Sequence, residues 1–266
     1  MSTVSPPSMA ELCNALRIEH DKIRELVISL DDQGLDKATP SPGWSIRDQL
    51  THLAFFDERA LESAIDPDGF SQQVASAYGD FEEYERAHLE VGRNKTPFEL
   101  IGWWETSRSR LIDLFSRMDP KERLAWYGPE MSARSSASAR YMETWAHGQD
   151  IADALEVELL HDDYIVNVCD LGVRTRNFSY VLRELEMPQT QVYVRLSAPS
   201  GDIWEWGDSG GDNIIEGQAV DFAYLVTQRR NIADLSLVIS GNDAIHWMSI
   251  CQAFAGPPGP GRTPKN

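Results

Sequence analysis

Four segments in the first 160 residues place their apolar side chains at the period of an α-helix, and this spacing constrains the fold more than any other feature of the chain. From Met9 to Leu30, the residues Leu12, Leu16, Ile23, Leu26, Val27 and Leu30 recur three, four or seven positions apart, which predicts a first amphipathic helix. The loop DKATPSPGW follows with two prolines and a glycine. Ser45 then reads as an N-cap, with Asp48 three residues later as a variant capping box, starting a second helix through IRDQLTHLAFFDERALESAI. After the turn DPDGF, residues 71–93 read as helical but heavily charged, the pattern of a solvated or lid segment. The third helix is PFELIGWWETSRSRLIDLFSRM, with Pro97 in its first turn and Asp119-Pro120 beyond its end. A loop, WYGPEMSA, leads to a fourth helix from Ser135 to Glu156, rich in small residues that permit close packing. Together these predict an up-and-down four-helix bundle over residues 1–160, with a longer connection between the second and third helices.

Beyond residue 160 the texture changes. QVYVRLSAP alternates as a strand does, GDIWEW follows across a Pro-Ser-Gly turn, and LSLVIS is a third β-rich run. Helical patterns surround them: IVNVCDLGVRTRNFSYVLRE first, then AVDFAYLVTQRRN and AIHWMSICQAFAG. Residues 161–260 therefore read as a smaller α+β domain, and residues 261–266 as a disordered tail with nothing apolar to bury. No internal repeat is present.

Charge narrows the partners. The chain sets 24 basic against 42 acidic residues, a net charge of −18, which repels phosphate backbones and anionic membrane surfaces. No stretch approaches the roughly 20 apolar residues needed to span a bilayer. The three cysteines, Cys13, Cys169 and Cys251, are far apart, sit among apolar neighbours and form no CxxC pair. These features predict a cytoplasmic protein that binds neither nucleic acid nor membrane. Monomer and dimer both remain open.

The stretch ETWAHGQD holds the polar pair that matters. On a helix Glu143 and His147 stand about 40° apart, with roughly 6 Å between Cβ atoms, close enough to reach one ion together. A third ligand would come from a facing helix, where His52 lies between Leu50 and Leu53. Two imidazoles and a carboxylate leave one coordination position open, as a catalytic zinc or similar divalent ion requires. The same spacing also suits a plain side-chain contact on a helix face, and spacing alone does not choose between the two.

The pieces PSPGWSIRDQLTHLAFFDE and MSARSSASARYMETWAHGQDIADAL resemble the DinB-like metal-binding superfamily, and within it the branch typified by mycothiol-dependent maleylpyruvate isomerase. The order is the same: a Gly-Trp turn, a helix with one histidine, a later helix with Glu-x-x-x-His, then a smaller α+β domain. The chain also resembles an actinobacterial group of metal-binding proteins, some labelled with wyosine base formation. Its scattered cysteines offer no cluster for a radical iron-sulfur enzyme. The resemblance implies a four-helix bundle holding zinc or another divalent metal with His52, Glu143 and His147. It also implies a low-molecular-weight thiol such as mycothiol as cosubstrate in transfer to, or isomerisation of, a small electrophilic substrate.

Three functional classes follow: a thiol-dependent transferase or isomerase, a thiol-free metal-dependent hydrolase, lyase or cyclase, and a non-enzymatic metal- or ligand-binding protein with a sterol-carrier-like second domain. For the first, Arg140, one turn before Glu143, is placed to pair with a substrate carboxylate. Arg229 and Arg230, at the end of AVDFAYLVTQRRN, would bind an anionic thiol or its sugar, or simply complement a helix C-terminus. Trp44 reads as packing at the start of the second helix or lining a cavity mouth, and Trp103, Trp104 and Tyr127 as an aromatic wall or as core. His20, His88, His161 and His246 have no partner at ligand spacing.

Overall fold

The computed structural model describes residues 4–77 and 81–265. The chain divides into two compact units: one spans Ser8–Leu159, and the other is built on Leu160–Asn266, with residues 4–7 grouping with it.

The first unit is a bundle of α1 (Met9–Val27), α3 (Ile46–Ile65), α6 (Pro97–Phe115) and α7 (Ala133–Ala154). The long helices open on chemistry the sequence writes out. Ser8 and Glu11 form a capping box on α1, Ser45 and Asp48 on α3, and Thr96 and Glu99 on α6, with Pro97 in the first turn. Ser132 caps α7, so that helix begins before the predicted Ser135 and ends before Glu156. The link from α1 to α3 carries a short helix, α2 (Asp32–Leu35). Both α1 and α3 pack against α6 and against α7. Consecutive α1 and α3 therefore stand diagonally. This departs from the simple up-and-down order predicted, because residues 28–45 are long enough to cross the end of the bundle rather than turn back as a hairpin. The apolar core between these helices includes Ile23, Leu50, Leu53, Leu100, Trp104 and Ile151.

Residues 71–93, predicted as one charged helical stretch, fall on α4 (Pro67–Ala77) and α5 (Phe81–Arg93), while residues 78–80 lie outside the described residues. The predicted turn DPDGF is the cap and first turn of α4. Asp66 accepts from the Gly69 backbone N–H at 3.0 Å, and the same Asp-Pro pair that signals a turn also starts a helix. Helix α5 lies on α3, tied there by Arg93, whose Nε donates to the buried Asp48 at 2.8 Å. Between α6 and α7, where the sequence predicts only a loop, β1 (Arg123–Leu124) pairs with β2 (Met131–Ser132). Two residues per strand are too few to show alternation.

Helix α7 is buried on nearly every face, and its small residues allow this. A Cβ at Gly148 would sit 2.7 Å from Ile23 Cδ1 of α1, so glycine sets how closely these two helices approach.

The second unit has a four-stranded sheet in the order β4-β3-β5-β6 among the described residues. Strands β3 (Tyr193–Ser197) and β4 (Ile203–Trp206) form the predicted antiparallel pair, turning at Gly201 with φ near +95°. Strand β5 (Ile214–Gln218) runs parallel to β3 and is absent from the sequence reading. It hides in GDSGGDNIIEGQ, whose Gly and Asp residues read as a turn. Strand β6 (Val238–Ser240) is shorter than LSLVIS. The predicted helix over 165–184 is two helices, α8 (Val166–Arg174) and α9 (Arg176–Val181), separated at Thr175, whose hydroxyl donates to the Leu171 carbonyl at 2.9 Å. Helices α10 (Ala219–Val226) and α11 (Asn242–Ile250) complete the unit. The predicted disordered tail has no regular structure but is held at two points. The Arg262 carbonyl accepts from Asn231 at 2.7 Å, and the Lys265 N–H donates to Asp234 at 3.0 Å. No helix among the described residues is long and apolar enough to cross a membrane.

Gly148→Val should destabilise the bundle by about 1–3 kcal/mol, because the added side chain drives into Ile23 and separates α7 from α1. Urea denaturation followed by far-ultraviolet circular dichroism measures this. An unchanged midpoint would mean that the helices do not need this approach.

Candidate metal centre

The capping box at Ser45 starts α3 with a fixed phase, which places Gln49, His52 and Phe56 on the face turned toward α7. Glu143 and His147 come from α7, one turn apart. Together they form a converging set: one ligating atom from each of His52, Glu143 and His147 lies within 4.8 Å of the other two. Glu143 Oε2 is 3.1 Å from His147 Nε2 and 3.6 Å from His52 Nε2.

A hydrogen-bond relay sets the His147 ring. Trp44 turns its carbonyl toward Thr39, whose hydroxyl donates to it at 2.9 Å. That leaves Thr39 Oγ1 to accept from Gln49 Nε2 at 2.9 Å, so Gln49 presents its carbonyl oxygen to His147 Nδ1. The Nδ1 nitrogen must then carry the proton, and Nε2 keeps its lone pair toward Glu143. His147 now has an acceptor at each nitrogen, and a neutral ring has one proton to give. A second proton or a metal ion at Nε2 resolves this conflict. The donor set, two imidazole nitrogens and one carboxylate, fits zinc or a similar divalent ion with a position left open.

The electrostatics agree with that fit. Burial, reinforced by the neighbouring His147, pushes His52 down to about 3, although Glu143 pulls the other way. Burial alone would raise the Glu143 carboxyl. Hydrogen bonds from His147 and His52 outweigh it and hold the group well below the usual carboxylate range. The site therefore sets an ionised Glu143 carboxylate beside an uncharged His52.

Around it stands a run of rings. Trp44 lies 5.2 Å from His52 and stacks on His147 at 5.8 Å and 19°, a closer role than packing a helix start. Ser41 ties the Trp44 loop to α7 by donating to Asp150 at 2.8 Å. Phe56 sits 4.5 Å from His52, and His88 of α5 lies 5.6 Å from it, its own pKa lowered to about 4 by burial. Of the predicted aromatic wall only Tyr127 joins this run, 5.7 Å from Phe56. Trp104 is core, and Trp103 lies under Lys95. Spacing along the chain gives no hint of His88, because α5 reaches the site only by folding back on α3. Gln49, one turn before His52, was likewise not singled out in the sequence, because its role depends on Thr39.

Arg140 is placed differently from the substrate-binding role read in the sequence. Its Nε donates to Asp57 at 2.9 Å, and the side chain is buried. Arg108 of α6 pairs with the same carboxylate at 2.8 Å and donates to Thr144 at 2.7 Å. The carboxylate beside Arg140, which itself stands one turn from Glu143 on α7, is thus a residue of the chain. Arg229 and Arg230 belong to the second unit, where their guanidinium groups donate to the Thr227 and Arg229 carbonyls and Arg230 stacks on Tyr224 at 4.8 Å. These contacts suit a basic helix end. All three cysteines are buried, and burial raises their thiols, Cys251 to about 12.

Comparison with known proteins identifies the family and the fold. Residues 16–152 match the family model for the mycothiol maleylpyruvate isomerase N-terminal domain. An uncharacterized protein of Mycobacterium tuberculosis, from strains CDC 1551 and H37Rv alike, is 41% identical over 248 residues, covering 93% of this chain and 96% of the relative. The crystal structure of the mycothiol-dependent maleylpyruvate isomerase superposes with a TM-score of 0.59 at 12% identity, covering 88% of this chain and 93% of that one. A histidine-to-alanine mutant of that enzyme superposes with a TM-score of 0.58 at 13% identity, covering 87% and 93%. At such identity the likeness is one of fold.

Asp57→Asn removes the carboxylate that two buried guanidinium groups share, and the bundle should lose about 3–5 kcal/mol. Chemical denaturation of the variant measures this, and a loss under 1 kcal/mol would show that the arginines find other partners.

Proposed function

The chain belongs to the mycothiol maleylpyruvate isomerase N-terminal domain family, and on that premise we propose that it is a divalent-metal-dependent enzyme using a low-molecular-weight thiol of the mycothiol type. It would transfer the thiol to a small electrophilic substrate or isomerise that substrate. The observation that carries this reading is His147 held between two acceptors, with Glu143 and His52 converging on the same point. His52, Glu143 and His147 would hold the ion, most simply zinc.

A bound divalent ion supplies positive charge that favours the ionised form of a thiol at neutral pH. The protein's own residues do the rest. Gln49 keeps the His147 proton on Nδ1, so that Nε2 stays a donor of electrons. Trp44 and Phe56 cover the imidazoles and limit water around them. Arg140, anchored on Asp57, positions Glu143 one turn along α7 rather than meeting substrate. The buried cysteines, with their thiols pushed up, do not compete as nucleophiles. The nucleophile in this reading is therefore the cosubstrate's sulfur, which adds to the electrophilic carbon. It either stays there or, after rotation about the single bond so formed, leaves and restores the double bond in the other geometry.

Plasma mass spectrometry on protein purified without a histidine tag or chelator should find about one equivalent of metal, lost in His52→Ala and Glu143→Ala. Gln49→Leu should keep the fold and weaken zinc binding roughly 10–100-fold. Calorimetric titration with mycothiol should show binding to zinc-loaded protein and none after chelation. Equal thiol binding with and without metal would overturn the proposal.

A further inference from the structure

One turn below the donor set, the bundle contains a polar layer that draws on all four long helices: His20 from α1, Asp57 from α3, Trp104 and Arg108 from α6, and Arg140 and Thr144 from α7. Its charges do not balance. Among the described residues, Asp57 is the one acid paired with either Arg108 or Arg140, so two guanidinium groups share a single carboxylate in full burial. An uncompensated charge in such a place is costly enough that a partner is expected.

The same layer holds polar atoms with nothing to bond. Arg108 Nη1, Trp104 Nε1 and His20 Nδ1 are buried without a hydrogen-bond partner, and their residues are 1%, 0% and 8% exposed. They are neighbours: the His20 and Trp104 rings lie 4.1 Å apart, and Trp104 stands one turn from Arg108 on α6. The indole and guanidinium atoms can only donate, and a neutral imidazole can place its one proton on Nδ1. Burial and the charge of Arg108 lower His20 to about 3 and keep it neutral. Arg108 is itself lowered by burial, an effect that Asp57 offsets only in part.

We propose that this layer binds one compact monovalent anion, of chloride size, through Arg108, Trp104 and His20. Two guanidinium groups on one carboxylate, with three unpartnered donors beside them, favour a compact anion. A water molecule would satisfy the donors too and could turn a hydrogen toward Asp57 Oδ2, so ordered water is the rival occupant that the test distinguishes. The site is separate from the metal donors and does not depend on a metal being bound. Anion binding here would brace α1 and α6 against the Asp57 cluster that sets α3 on α7.

Bromide, heavier than chloride and similar in charge and size, is the probe. Crystals of the full chain soaked in sodium bromide should give an anomalous peak within hydrogen-bonding distance of Arg108 Nη1 and Trp104 Nε1. In solution, bromide should raise the thermal midpoint above that in gluconate at equal ionic strength. Trp104→Phe keeps a ring against His20 but removes the N–H, and should weaken bromide about tenfold. The same response in His52→Ala would show the anion site to be independent of the metal reading. Density without anomalous signal, an ordered water only, would overturn the proposal. So would a thermal midpoint that follows ionic strength regardless of the anion. If Trp104→Phe does not fold, the wild-type bromide map decides alone.

Discussion

Asp57, with a guanidinium on each side, is the interaction on which the arrangement of the bundle turns. It sits on α3, Arg108 on α6 and Arg140 on α7, so one carboxylate holds three helices in a single register. Apolar packing alone is tolerant: leucines slide past one another by a turn at modest cost, whereas a fully buried ion pair has one acceptable geometry. The pairing of Asp57 with Arg140 fixes which turn of α7 faces which turn of α3. His52 lies about one turn from Asp57 and Glu143 about one turn from Arg140, and the same register brings them together.

The site inherits its chemistry from this frame. Because α3 and α7 are locked, burial acts on donors that cannot retreat into water, and it lowers the histidine while neighbouring hydrogen bonds keep the glutamate ionised. The loop before α3 adds the rest. Trp44 contributes its ring to both imidazoles and its carbonyl to Thr39, which orients Gln49 and so His147. Capping box, loop and relay are one device, and each part positions the next.

Superposition on the mycothiol-dependent maleylpyruvate isomerase at 12% identity shows how far the fold outlasts its sequence. A fold of this kind hosts more than one chemistry, so function has to be argued from the donors and their surroundings. Here the surroundings divide into a ring-lined layer around the candidate metal ligands and an arginine layer directly behind it.

The sequence by itself determined the elements and the donors. Helical periodicity gave four long helices, Ser45 and Asp48 marked where α3 begins, and Glu143 with His147 four positions later gave two of the three candidate metal ligands. These are local facts, set by propensity, capping and phase within one helix. Strand β5 escaped because its two isoleucines sit among turn-forming residues and gain their pairing only from β3. Tertiary structure decided what depends on distant segments meeting. It gave Arg140 to Asp57, brought His88 beside His52 by folding α5 onto α3, and made Gln49 the partner of His147 through Thr39. Such contacts join residues far apart in the chain, and no local spacing records them, because they exist only once packing has set the helices against one another.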